Sequence, residues 1–154
     1  MFHCVLYQPE IPPNTGNIIR LCANTQVPLH LIQPLGFSLD DKRLKRAGLD
    51  YHEWVNIQQY PSLEIFLQTM PISARLFACS TKGTTEYTQV TYQTEDIFLF
   101  GPETRGLPPT ILNQLPAAQV IRIPMVPGNR SLNLSNAVAI VIYEAWRQHQ
   151  FKMI

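Results

Sequence analysis

Short apolar runs alternate with amphipathic stretches along most of the chain. Six runs of β-forming residues predict strands, at positions 4–7, 29–32, 54–57, 75–79, 97–100 and 119–123. The runs 75–79 and 97–100 are apolar without alternation, which predicts burial on both faces, as in the central strands of a parallel sheet. The polar segment 80–94 between them is either a loop or a short edge strand.

Helical spacing of apolar residues separates most of these runs. Asn14 is expected to cap the first helix, Ser38 or Asp40 the second, and Ser135 the last, over residues 136–150. Two shorter helices are expected, one opened by the pair at 61–62 and one over residues 108–115. This order predicts an α/β fold with a mostly parallel six-stranded sheet flanked by helices.

Length and composition are typical of an ordinary globular protein. Its 154 residues, 45% of them hydrophobic, fit a single domain over residues 1–154. The net charge of +1 does not by itself indicate a nucleic-acid binder. The one dense basic run is Lys42, Arg43, Lys45 and Arg46, which is either a solvated helix face or an RNA-binding surface.

We expect no metal site, disulfide bond or membrane-spanning segment. The three cysteines form no C-x-x-C pair and lie in apolar runs, which is typical of reduced thiols in a cytoplasmic protein. The four histidines have no metal-ligand spacing, so we expect no metal. No apolar run approaches ~18 residues and no secretory signal is present, so we expect no membrane span.

Three segments concentrate the residue types that bind ligands. They read PPNTGNIIR at 12–20, FGPETRGL at 100–107 and IPMVPGNRSLNLSN at 123–136, each at the expected carboxyl end of a strand. Taken singly, each also fits a plain structural role: a helix cap, a tight turn and an elaborate N-cap. No G-x-G-x-x-G follows the first strand, and neither a P-loop nor a G-x-S-x-G elbow is present.

Taken together and in this order, the three segments resemble the motifs of the SPOUT (trefoil-knotted) RNA methyltransferases. The short chain and the segment DDKRLKRAGLDY are similar to the TrmL (YibK-like) group of that family. The resemblance implies an α/β-knot with a deep C-terminal trefoil knot, S-adenosylmethionine as cofactor and a homodimer that completes the site. It also implies 2′-O-methylation of the wobble-position pyrimidine, cytidine or modified uridine, in leucine tRNA anticodons.

The resemblance also assigns roles to individual residues. Contacts to S-adenosylmethionine fall on Cys79, Gly101, Ile123 and Ser131, with Cys79 acting through its backbone. Catalysis and ribose handling fall on Asn14, Arg20, Glu103, Ser131 and Asn133. The tRNA anticodon stem-loop is expected to contact the basic run at 42–46, together with Arg105, Arg130 and Tyr143.

Arg20 is the residue whose role the resemblance leaves most open. Relatives are thought to use this arginine as the base, yet a guanidinium stays protonated at neutral pH and is a poor base in isolation. We therefore favour pairing with a phosphate and stabilisation of negative charge on the ribose oxygen. Methylation of another tRNA position or of ribosomal RNA is the alternative function. A non-catalytic RNA-binding dimer and an unrelated α/β enzyme are two further alternatives.

Overall fold

Parallel strands build the centre of the molecule. The computed structural model describes residues 1–46 and 57–153. The strands are β1 His3–Tyr7, β2 Leu29–Ile32, β3 Ile57–Tyr60, β4 Leu76–Cys79, β5 Thr85–Glu86, β6 Ile97–Phe100 and β7 Val120–Arg122. The helices are α1 Pro12–Thr25, α2 Lys42–Lys45, α3 Leu63–Gln68, α4 Pro109–Leu112 and α5 Leu134–Gln148. All pairings between strands are parallel, in the order β3-β2-β1-β6-β4-β7-β5.

The α/β class and the parallel sheet are confirmed, but the predicted strand number of six is wrong. The segment 80–94 contributes β5, which pairs with β7 at the edge of the sheet, so the described residues form seven strands. The third strand runs later than predicted, from Ile57 to Tyr60, and positions 54–56 of the predicted run lie outside the described residues.

The continuous apolar runs pack on both faces of the sheet, as predicted. In β6, Phe98 and Phe100 enter a core cluster on one face, against α1 and α5. Ile97 and Leu99 enter a second cluster on the opposite face, against α3. Because successive side chains of a strand point to opposite faces, a central strand covered by helices on both sides needs apolar residues throughout.

Two helix starts differ from the prediction. The helix α1 begins at Pro12, two residues before Asn14, and Ile11 occupies the N-cap position. Proline suits the first turn because its φ is already helical and it lacks an N–H that would go unpaired. The last helix begins at Leu134, and Asn133 is its N-cap in place of Ser135.

The remaining helix starts are closer to expectation. The helix α3 begins directly after the predicted pair 61–62, and Ser62 caps it by accepting a hydrogen bond from Ile65 N. The cap of α2 is Asp41, whereas Ser38 or Asp40 was expected. Asp41 Oδ1 lies 2.8 Å from Arg43 N and is therefore the better-placed acceptor. The predicted end of this helix falls at positions 47–48, outside the described residues.

A chain of polar groups crosses the first three strands. Glu95 Oε2 lies 2.8 Å from His3 Nε2, His3 Nδ1 lies 3.1 Å from His30 Nε2, and His30 Nδ1 lies 3.2 Å from the Tyr60 hydroxyl. His30 is only 4% exposed. Burial, with a smaller contribution from charge on His3, lowers the pKa of His30 to about 4. His30 is therefore neutral at physiological pH.

No described helix is long and apolar enough to span a bilayer.

Candidate active site

A cavity opens where three neighbouring strands end. The loops that follow β6, β4 and β7 enclose about 260 Å³, near the lower end of the roughly 300–1,000 Å³ typical of ligand pockets. Ligands of open parallel sheets bind at this edge, beyond the carboxyl ends of the strands. Part of the wall is apolar and comes from Phe100, Ile121, Leu134 and Val141. The cavity thus combines an apolar wall with polar residues of the second and third segments identified in the sequence.

The four residues assigned to the cofactor all line this cavity: Cys79, Gly101, Ile123 and Ser131. They come from the ends of β4, β6 and β7 and from the loop that precedes α5. Burial raises the pKa of the Cys79 thiol far above its usual range, so this side chain is a neutral thiol. The fold therefore brings together residues that are up to 52 positions apart in sequence, the separation of Cys79 and Ser131.

Gly101 marks a tight reversal of the chain directly after β6. A Cβ at this position would lie 2.4 Å from Leu107 N and 2.5 Å from the Gly106 carbonyl carbon, distances that side chains do not tolerate. Gly106 itself has φ +66°, the left-handed conformation that favours glycine. The two glycines of the second motif therefore fold its loop back on itself, and this loop forms one wall of the cavity.

Glu103 holds the first and second loops together. Its carboxylate accepts hydrogen bonds from Glu10 N at 2.9 Å and Ile11 N at 2.6 Å, at the start of α1. Ile11 is the N-cap residue and Pro12 the first helical residue, so Glu103 anchors the segment that leads into α1 from a distant part of the chain. Burial raises the pKa of Glu103, opposed by these two backbone N–H groups.

The clamp between these loops is reciprocal. The Glu10 carboxylate accepts hydrogen bonds from Thr104 N at 3.0 Å and Thr104 Oγ1 at 2.8 Å. These bonds lower the pKa of Glu10. Arg105 Nε lies 3.6 Å from the same carboxylate. Each loop thus donates to a carboxylate of the other, which fixes the loop after β1 against the loop after β6.

Asn14 and Asn133 link the first loop to the third. Asn133 Nδ2 donates to Asn14 Oδ1 at 3.0 Å. The Asn133 Oδ1 accepts from Ser135 N at 2.9 Å and Ser135 Oγ at 2.6 Å. One asparagine therefore begins α5 and ties that helix to α1.

Arg20 and Tyr143 lie apart from the cavity of their own chain. Arg20 is exposed on α1 and does not line the cavity. Tyr143 is 43% exposed on α5, its ring 5.7 Å from that of Trp146 in an edge-on contact. Arg130 is exposed in the loop before α5, next to Ser131. Within one chain, the residues assigned to the cofactor meet, whereas Arg20 stays outside that group.

The basic run forms the exposed side of α2. Leu44 is fully buried and enters the core cluster that includes α1. The flanking Lys42, Arg43, Lys45 and Arg46 are all exposed. Arg43 Nη2 lies 3.0 Å from Asp41 Oδ2, so an acid on the same turn already balances one of the four charges.

Two basic residues that line the cavity were not singled out in the sequence. Lys82 follows β4 and Arg122 ends β7. A signal was present for Arg122, because it is the one charged residue in the apolar run 119–123. Lys82 stands beside Gly83, just beyond the predicted strand 75–79, and no motif marks it. In the described ranges, no group of three or more His, Cys, Asp or Glu side chains is placed to hold a metal.

Comparison with known proteins agrees with this geometry. Residues 1–143 match the model of the SpoU rRNA Methylase family. A relative from Escherichia coli strain K12, named tRNA (cytidine(34)-2'-O)-methyltransferase, is 62% identical over 148 residues, covering 96% of this chain and 94% of the relative. A relative of the same name from Methylovorus glucosotrophus is 58% identical over 151 residues, covering 98% and 97%.

Solved structures show the same fold. One that concerns the 2-OH methylation of C/U34 on tRNA has a TM-score of 0.91 at 47% identity, covering 99% of this chain and 98% of the other. The SpoU methyltransferase AviRb from Streptomyces viridochromogenes, in complex with AdoMet, has a TM-score of 0.82 at 23% identity, covering 97% and 58%. At that identity the second match bears on the fold alone. The matched family model and the two near-full-length relatives confirm the resemblance seen in the motifs: this chain belongs to the SpoU methylase family.

Proposed function

We propose that this chain is a 2′-O-methyltransferase that acts on the ribose of nucleotide 34, the wobble position, of tRNA. The observation that supports this most strongly is the end-to-end similarity to relatives named for that reaction, at 58–62% identity over at least 94% of their length. The cavity at the ends of β4, β6 and β7 is lined by residues of the second and third motifs. The first motif is tied to them by the Glu103 and Asn14–Asn133 hydrogen bonds. The finer proposal, from the resemblance, is a wobble cytidine or modified uridine in leucine tRNA.

Ribosomal RNA is the second candidate substrate, because the matched family model is described by rRNA methylation. The structures of rRNA methyltransferases that match this chain are less similar, however. The AdoMet-bound enzyme from Sinorhizobium meliloti is 24% identical, and this chain covers 56% of its length. At that identity the match supports the fold alone. The proposed substrate therefore rests on the relatives that are 58–62% identical.

The residues that line the cavity fit S-adenosylmethionine. When bound, this cofactor would supply a methyl group carried on a sulfonium sulfur: the ribose 2′-oxygen would bond to the methyl carbon in line, and S-adenosylhomocysteine would leave. The apolar wall suits the adenine and the carbons around the sulfur, while Ser131 and the backbone at Cys79, Gly101 and Ile123 offer hydrogen bonds. The donor and acceptor types therefore match a nucleoside with an amino-acid tail.

The chain's own residues contribute mainly by positioning. Glu103 fixes the first loop against the second, and the Asn14–Asn133 bond fixes α1 against the third. Accurate alignment of the attacking oxygen accounts for much of the rate of such a displacement. Arg20 pairs with a phosphate beside the target ribose and stabilises charge on its oxygen, while the hydroxyl proton leaves to water.

A homodimer completes the site in this proposal. Arg20 does not line the cavity of its own chain, which agrees with a site that a second chain completes, as the resemblance implies. The exposed basic side of α2, together with Arg130 and Tyr143, then contacts the tRNA anticodon stem-loop, where phosphate contacts dominate affinity. The deep knot and a cytoplasmic location belong to the same proposal.

Transfer of a tritiated methyl group from S-adenosylmethionine tests the proposed substrate. Purified protein is incubated with total tRNA, with ribosomal RNA, and with both together. We expect label in tRNA in both reactions that contain it, and its loss in the Arg20→Ala variant but not in Lys152→Ala, a change at an exposed position. Label confined to ribosomal RNA would overturn the tRNA proposal.

A further inference from the structure

Among the described residues, four with charged side chains line the cavity: Lys82, Glu103, Arg105 and Arg122. Two of them have partners in the protein, since Glu103 binds backbone N–H groups and Arg105 Nε lies 3.6 Å from Glu10. No acidic group of residues 1–46 and 57–153 lies within 4.0 Å of the charged nitrogens of Lys82 or Arg122. The cavity thus has two cations without a counter-ion in the described part of the chain.

Lys82 lies in the loop after β4, and Arg122 ends the neighbouring strand β7. The strands β4 and β7 pair directly, with Cys79 opposite Ile121. A Cβ on Gly83 would lie 2.6 Å from the Val120 carbonyl oxygen, so the loop after β4 packs closely on β7. This close approach fixes the backbone of Lys82 beside the strand that ends at Arg122.

Arg122 is half-buried, and its neighbours in sequence, Ile121 and Ile123, line the same cavity. Its partner in register on β5 is Glu86, yet the two side chains form no ion pair. Because removing a cation partly from water without an anion is unfavourable, such a group is stabilised by a ligand that supplies one. A guanidinium matches the geometry of a carboxylate with two parallel N–H bonds.

We propose that Arg122 and Lys82 bind the carboxylate of the amino-acid end of S-adenosylmethionine. This rests on the proposed function, because it takes the cavity to be the cofactor site. The carboxylate is the one anionic group of that ligand, whose amine and sulfonium are both positive. Two cations on the β4–β7 side therefore fix which end of the ligand lies there. RNA phosphates have other exposed basic groups available on α2 and at Arg130, outside the cavity.

Two ligands that differ only in the carboxylate test this assignment, with binding measured by calorimetry and no RNA present. S-adenosylhomocysteine has the carboxylate, whereas S-adenosyl-3-thiopropylamine keeps the amine and lacks it. We expect Arg122→Met to weaken S-adenosylhomocysteine binding about tenfold or more, as loss of a charge-assisted hydrogen bond does. Lys82→Met should act in the same direction. Affinity for the second ligand should change by less than about twofold, since no carboxylate contact is lost.

Arg105→Met is the matched control, since it removes a cation that lines the same cavity but pairs with Glu10. We expect it to leave the preference between the two ligands unchanged, and thermal unfolding verifies that each variant is folded. An equal loss for both ligands in Arg122→Met would overturn the proposal in favour of a general packing role. Unchanged affinity for both, with a raised KM for RNA, would assign Arg122 to a phosphate. Wild-type protein that binds neither ligand would instead overturn the proposed function.

Discussion

The side-chain amide of Asn133 donates a hydrogen bond to Asn14 Oδ1 across 3.0 Å, although 119 positions separate the two residues. The oxygen of the same amide caps α5 through Ser135 N. Asn14 is 7% exposed, so its oxygen has little access to water. The position of the third loop and the start of α5 thus depend on one side chain.

Asn133→Ser separates these two roles, because serine is also a good N-cap but is too short to reach Asn14. We expect a loss of about 1 kcal/mol in the free energy of unfolding for the missing hydrogen bond. Asn133→Ala should lose about 1 kcal/mol more, because the cap disappears as well. Urea unfolding measures both. In an Asn14→Ala background the serine substitution should cost almost nothing further, and an undiminished cost there would contradict the direct coupling.

Removal of Glu103 should loosen the start of α1. Glu103→Ala leaves two backbone N–H groups without their acceptor, and we expect a loss of about 2 kcal/mol in the free energy of unfolding. Glu103→Gln retains one acceptor oxygen and should lose about half as much. Asp40→Ala, which removes an exposed carboxylate, is the control and should stay within about 0.5 kcal/mol of wild type. Equal stability of Glu103→Ala and this control would contradict the anchoring role of Glu103.

Much of the fold could be predicted from periodicity, and the errors have physical causes. The bounds of β6 agree with the predicted run 97–100, because a strand buried on both faces is apolar along its whole length. The two-residue strand β5 gives no such signal, since Thr85 and Glu86 are polar and paired only with the neighbouring β7. The start of α1 was misplaced because Asn14 fits a local N-cap pattern, whereas the helix begins at Pro12 and Ile11 N donates to Glu103, 92 positions away.

Substitutions at Arg20 distinguish a positioning charge from a specific guanidinium contact. If a positive charge beside the ribose is sufficient, Arg20→Lys keeps kcat within about tenfold of wild type. Arg20→Ala should then lose about 100-fold or more, as removal of an electrostatic contact in an active site does. Single-turnover methyl transfer to tRNA measures both. A loss in Arg20→Lys as deep as that in Arg20→Ala would require the guanidinium itself.

Protonation of His30 should destabilise the fold in mild acid. The pKa of His30 is lowered to about 4 in the folded chain, from 6.5 in the ordinary side chain. Between these values the unfolded chain binds a proton that the folded chain does not. The free energy of unfolding therefore falls as the pH decreases from about 6.5 to about 4, by up to about 1.4 kcal/mol per pH unit.

His30→Gln is the control for this pH dependence, because glutamine does not titrate and offers both a donor and an acceptor towards His3 and Tyr60. Urea unfolding at several pH values should give a shallower slope in the variant over this range. Parallel curves for the two proteins would assign the acid sensitivity to other groups.

The candidate site was accessible from the sequence only through the three motifs taken together. Cys79, Gly101, Ile123 and Ser131 share no local pattern, and the ends of three strands bring them to one cavity. Ser135 was expected to cap α5 because serine is among the residues most often found at a helix N-cap. The amide of Asn133 reaches both Ser135 and Asn14, a contact between distant segments that local spacing does not reveal.

The position of the transferred methyl group tests the central claim most directly. Total tRNA is treated with the protein and S-adenosylmethionine that has a deuterated methyl group, and leucine tRNAs are then isolated and hydrolysed in alkali. A 2′-O-methyl group blocks cleavage after its own nucleotide, so mass spectrometry should find the deuterated methyl in a dinucleotide of positions 34 and 35. Deuterium in a mononucleotide, or in a dinucleotide from another position, would contradict methylation of the wobble ribose.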